Sequence, residues 1–152
     1  MFNERGTVKE PMNPQQFWFR STQFEIEPGE DEEMNPQCYG RQFARWLHDR
    51  LVAEGRHLEA LIPEDWGWCL VVQRKPYLLW VGYSSVHDYA STEASDTLPR
   101  GSEVVWSCTV VAEQSLFGRL RGVDPAPDVD ALFRQVKAIV ELDASSTLVP
   151  QP

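Results

Sequence analysis

Six carboxylates crowd one short stretch of the chain, Glu25, Glu27, Glu30, Asp31, Glu32 and Glu33, with no basic residue until Arg41. A run of this kind between a strand-like and a helix-like segment is suited to docking a cationic surface, because the helix N-terminus behind it favours negative charge. The same density is also what a solvated acidic loop looks like. A calcium loop is excluded, since the alternating D-x-[DN]-x-[DN]-G pattern and its terminal Glu are missing. Glu64 and Asp65 form a second acidic pair, followed closely by Trp66 and Trp68. Large rings with one polar atom serve well as interface anchors. The expected partner-binding set is therefore Glu30, Asp31, Glu32, Glu33, Glu64, Asp65, Trp66 and Trp68.

Other chemistry is weaker. Cys38 stands at the predicted start of a helix, where dipole and amides lower a thiol pKa, and with His48 and a carboxylate it is the one enzyme-like combination. NPQCYGR is not a recognised nucleophile signature, and a structural cysteine is the plainer reading. Cys69 and Cys108 fall inside apolar runs and read as core. The three cysteines lack a CxxC spacing and His48, His57 and His87 are scattered, so neither a disulfide framework nor a zinc site is expected. No G-x-S-x-G, G-x-G-x-x-G or P-loop occurs, which sets aside a serine nucleophile elbow and phosphate cradling. No catalytic residue, metal or cofactor is expected. Trp66, Trp68, Trp80 and Tyr83 offer an alternative, the lining of a small-ligand cavity, against the ordinary role of such residues in a core.

Charge narrows the partner. With 14 Lys+Arg against 23 Asp+Glu the net charge is −9, which repels nucleic acid and anionic membrane and favours a basic protein. The first residues contain no apolar h-region, and the longest apolar stretches are of strand length. Together with thiols that have no evident pairing, this points to the cytoplasm. Met12 offers an alternative start.

At 152 residues and 42% hydrophobic content, the chain fits one domain with a real core. Residues 1–16, broken by Pro11 and Pro14, read as a flexible arm. Phe17 to Glu27 reads as a strand whose alternation changes phase near Ser21–Gln23. Tyr39, Phe43, Trp46, Leu47 and Leu51 recur at intervals of three and four, which predicts a helix over about 38–54 closed by Gly55. Strands follow over 57–62, 68–74, 77–86 and 103–113, with a turn at Gly67. Pro127–Asp128 then opens a helix with Val129, Leu132, Phe133, Val136, Ile139 and Val140 on one face. The tail over 144–152 reads as loose. The fold class is α+β, a single domain over 17–143 in the order β-α-β-β-β-β-α: a mostly antiparallel sheet of about five strands with two helices on one face. Arg41 and Arg45, just beyond the acidic loop, are placed to hold it through ion pairs, exposed pairs of this type contributing about 0–1 kcal/mol each.

The segment FWFRSTQFEIEPGEDEEMNPQCYGRQFARWL with PEDWGWCLVVQRKPYLLWVGY resembles a bacterial family of small proteins. That family has an F-x-F strand, a PGEDEE-N-P-x-x-YGR loop and helix, and a PEDWGW turn. The resemblance covers Phe17 to Tyr83 and implies a shared fold with no catalytic residue to carry over. The chain is also similar in size, charge and lack of motifs to immunity partners of cytoplasm-acting bacterial toxins, such as type VI secretion effectors with nuclease activity. That likeness implies a non-enzymatic inhibitor whose acidic side chains take the positions of phosphates in a basic active site.

Overall fold

The computed structural model describes residues 15–30, 39–86 and 100–152. Asp31, Glu32, Glu33, Cys38 and His87, and all of the predicted arm except Gln15 and Gln16, lie outside them.

Four successive strands form an antiparallel meander: β2 (Ala60–Glu64), β3 (Gly67–Gln73), β4 (Leu78–Val86) and β5 (Val105–Glu113). The earliest strand, β1 (Gln15–Ser21), pairs with β5 on one side and with a short strand β6 (Ser146–Val149) on the other. The result is a six-stranded, wholly antiparallel sheet in the order β2-β3-β4-β5-β1-β6. The α+β expectation therefore holds, with one strand more than anticipated.

Strand alternation divides the sheet into two faces. On the first, Phe17, Phe19, Leu70, Val72, Leu79, Val81, Tyr83, Trp106, Cys108 and Val110 are buried in one continuous core. Helix α1 (Arg41–Ala53) presents Phe43, Ala44, Leu47 and Leu51 to it, and helix α3 (Ala126–Leu142) presents Val129, Leu132, Val136 and Val140. Both stripes follow the three-and-four spacing legible in the sequence. Aromatic rings lock the layers: Phe43 meets Phe19 at 4.9 Å and Tyr83 at 5.1 Å, both edge-on, and Phe17 meets Phe133 at 5.8 Å. Edge-on pairs of this kind add about 0.5–1.5 kcal/mol beyond the area they bury.

Two elements depart from the expectation. Residues 146–149 are not a loose tail: they form β6, tied at its start by Ser146 Oγ, which donates to Asp143 Oδ2 at 2.6 Å and shares a hydrogen bond of 3.0 Å with Ser21 Oγ. A short helix α2 (Leu116–Leu120) also stands between β5 and α3, its start capped by Ser115 Oγ accepting from Gly118 N–H at 3.1 Å. The first strand stops at Ser21, where the apolar phase changes. Phe24 and Ile26 stay buried, but outside the sheet's ladders.

Candidate functional site

The acidic loop is where structure and expectation part. Glu30 is fully buried, not presented to a partner. Its carboxylate accepts from the backbone N–H groups of Glu27 at 3.0 Å, Gly40, and Arg41 at 2.6 Å. The physical reason lies at the start of α1. Gly40 occupies the N-cap position with φ 137° and has no side chain to cap with, so the first amides of the helix need an acceptor from elsewhere. Glu30 supplies it, with its charge at the favourable end of the helix dipole. Neighbouring Glu27, at the start of the loop, receives Arg41 at 3.2 Å and Arg45 at 3.6 Å, while residues 31–38 of the loop lie outside the described residues.

Trp68 is likewise corrected. It is only 8% exposed, in the core beneath Arg41, whose guanidinium lies 5.9 Å from the ring centre. Register explains this: Trp68 stands opposite Tyr83 and Tyr83 opposite Cys108, all on the helix-covered face. Trp80 stands opposite Val71 and Val111 on the other face. The four aromatics Trp66, Trp68, Trp80 and Tyr83 thus lie on two sides of the sheet and do not surround one cavity. Trp68 Nε1, Tyr83 OH and Trp106 Nε1 are buried and have no hydrogen-bond partner among the described residues.

What remains exposed from the expected set is the β2–β3 hairpin. Glu64, Asp65 and Trp66 are all exposed, Trp66 to 42%. The Trp66 ring folds back over Gly82 and packs against Trp80 at 5.6 Å. Gly82 is the floor that permits this, since a Cβ there would lie 2.8 Å from Trp80 and 3.0 Å from Trp66. Trp80 is fixed in turn by Nε1 donating to Glu113 Oε2 at 2.8 Å. The hairpin therefore keeps the expected pair of carboxylates beside Trp66, while the bracing of that indole by Trp80 over Gly82 is what the sequence reading missed, because it grouped Trp66 with Trp68.

Cys69 sits on this second face, opposite Ile62 and Gly82. Burial, then the charges of Glu64 and Glu113, push its thiol from 9.0 to about 11, with Arg74 acting in the opposite sense. A rise of that size leaves about 100-fold less thiolate near neutral pH than an ordinary cysteine has. Alkylation of Cys69 by iodoacetamide, followed peptide by peptide by mass spectrometry, should keep rising about tenfold per pH unit from pH 7 to 10. Levelling near pH 9 would show an unshifted thiol.

Of the enzyme-like combination, His48 is partly exposed, with Nδ1 3.1 Å from Asp49, and Cys38 lies outside the described residues. Among the described residues no three His, Cys, Asp or Glu side chains gather as a metal-ligand set. No described helix is long and apolar enough to cross a membrane. The architecture is that of an α+β protein with a two-helix layer on one sheet face and an aromatic, acid-flanked hairpin on the other. No protein-family model, curated protein or solved structure matches the chain.

Proposed function

We propose that this chain is a non-enzymatic, protein-binding inhibitor of the immunity type, acting in the cytoplasm on a basic toxin domain, such as a nuclease. The observation that carries the reading is the hairpin: Glu64 and Asp65 beside Trp66, with the indole held by Trp80 over Gly82, on a chain of net charge −9. An aromatic anchor needs a fixed rotamer to bind without a large ordering cost, and carboxylates at its rim steer and register a cationic partner. A nuclease site built to hold phosphates accepts carboxylates in the same places. The inhibitor needs no reaction of its own.

The test begins with capture. The tagged protein is used to isolate partners from its host, and a stoichiometric basic protein is expected, identified by mass spectrometry. Glu64→Lys with Asp65→Lys should weaken that complex at least about tenfold and abolish growth rescue on co-expression with the partner. Undiminished affinity in the double variant would remove the hairpin from the interface.

A further inference from the structure

The opposite end of the central strands carries a surface of contrary character. Leu116, Phe117 and Leu120 of α2 are 71%, 74% and 75% exposed, and their spacing of three and four makes one contiguous ridge. They are held outward, not left there by a loose turn. Gly118 is the buried residue of the helix and packs on Gln114, whose Nε2 donates to the Val123 carbonyl at 2.7 Å.

Beside the ridge runs a groove of about 540 Å³ whose walls include Tyr77, Leu78 and Phe117. Arg74, Lys75 and Arg121 line it against a single carboxylate, Glu113, which Trp80 already engages. Arg119 adds a further cation on α2. Lys75, Arg119 and Arg121 form no ion pair among the described residues, and Arg74 has only Glu59 at 3.8 Å. Asp128 accepts from Tyr77 OH behind that wall, but among the groove's own lining residues the cations outnumber the carboxylate three to one, which is unusual in a chain with 23 acidic side chains. That surplus calls for an anionic occupant with apolar groups of its own.

We propose that the Leu116–Phe117–Leu120 ridge and its adjoining groove dock an acidic segment of another protein that carries apolar side chains. Apolar groups of the segment cover the ridge and enter the groove beside Phe117, while its carboxylates meet Arg74, Lys75, Arg119 and Arg121. A second copy of the chain is a poorer occupant, since a ridge-to-ridge contact brings these cations together. An anionic membrane is poorer too: a broad charged surface feels the whole −9, whereas a short segment senses mainly charges within a screening length of about 10 Å. This surface is separate from the hairpin, seven residues of β3 away, or roughly 20 Å.

The experiment measures fluorescence anisotropy of a labelled peptide alternating Glu with Leu and Phe, titrated with the full chain. Two control peptides replace Glu by Lys, or the apolar residues by Ser. Saturable binding of the first peptide alone is expected, weakening with salt, and reduced at least about tenfold by Phe117→Ser, by Leu120→Ser and by Arg121→Glu. These side chains are exposed, so circular dichroism should show all three variants folded. The proposal is overturned by absence of saturation below about 1 mM, by equal binding of either control, or by affinity that the variants leave unchanged. Phe117-dependent sedimentation with phosphatidylglycerol vesicles, or Phe117-dependent dimerisation at sedimentation equilibrium, would also overturn it, assigning the ridge to lipid or to a second copy.

Discussion

Glu30→Gln is expected to destabilise the fold by about 3 kcal/mol, and Glu30→Ala by at least as much, because both disturb a buried acceptor that serves three backbone amides. Glutamine is nearly the same size, so the loss is not one of volume. Its carbonyl oxygen can still face Gly40 and Arg41, but its NH2 group must then point at the Glu27 amide, donor against donor. The negative charge at the start of α1 is lost as well. Alanine leaves all three N–H groups without their acceptor. For a domain of this size the change corresponds to a fall in Tm of roughly 10 °C, read by circular dichroism, with a lower urea midpoint. A loss below about 1 kcal/mol would show that α1 does not depend on this cap.

Gly67→Ala should be comparably severe, at about 3 kcal/mol or more, and should act on the candidate site directly. Gly67 has φ 154°, and a Cβ there would lie 2.1 Å from the Tyr83 carbonyl oxygen and 2.9 Å from Ser84 Cβ. Neither atom belongs to the free end of a flexible side chain, so the hairpin must lift from β4. Lifting it separates Trp66 from Trp80. The near-ultraviolet circular dichroism of the coupled indoles should therefore collapse together with stability. Gly55→Ala is the control: φ is 92° but nothing lies within 4 Å, so only the backbone term of about 1–2 kcal/mol is expected, with the indole signal intact. Equal effects at both glycines would mean that strain, not the approach of β4, dominates at Gly67.

The helices and the central meander were legible because their burial is periodic. Leu47 and Leu51, or Leu132 and Val136, can be read as one face from spacing alone. The short elements were not. Ser146–Val149 has only four residues, too few to show an alternation, and it is a strand because β1 offers an edge to pair with. Leu116–Leu120 exposes the very residues that a pattern search assigns to a core. For the site, charge patterning treats Glu30 like its neighbours, whereas its burial follows from the missing cap at Gly40, a donor deficit that becomes visible only once the helix start is fixed. The separation of Trp80 from Tyr83 was available in the sequence: residues three apart in one strand point to opposite faces. The turn at Asp65–Trp66 hid the corresponding break between Trp66 and Trp68. The apolar ridge on α2, with cations beside it, spans little more than one helical turn, too short for its spacing of three and four to stand out as a period.

The position of β1 has a consequence for the timing of synthesis. Phe17 faces Cys108 and Phe19 faces Leu148, so both neighbours of the first described strand are translated long after it. The meander from β2 to β5 can assemble by local hairpins as it leaves the ribosome. Until β5 has emerged, however, a segment bearing Phe17, Trp18 and Phe19 must wait with both edges unpaired, the state in which strands recruit wrong partners. Long-range closure of this type also slows folding relative to the local hairpins. The nascent chain is thus expected to stay aggregation-prone from the emergence of β1 until β5 has emerged, and to lose that hazard when β1 enters between β5 and β6.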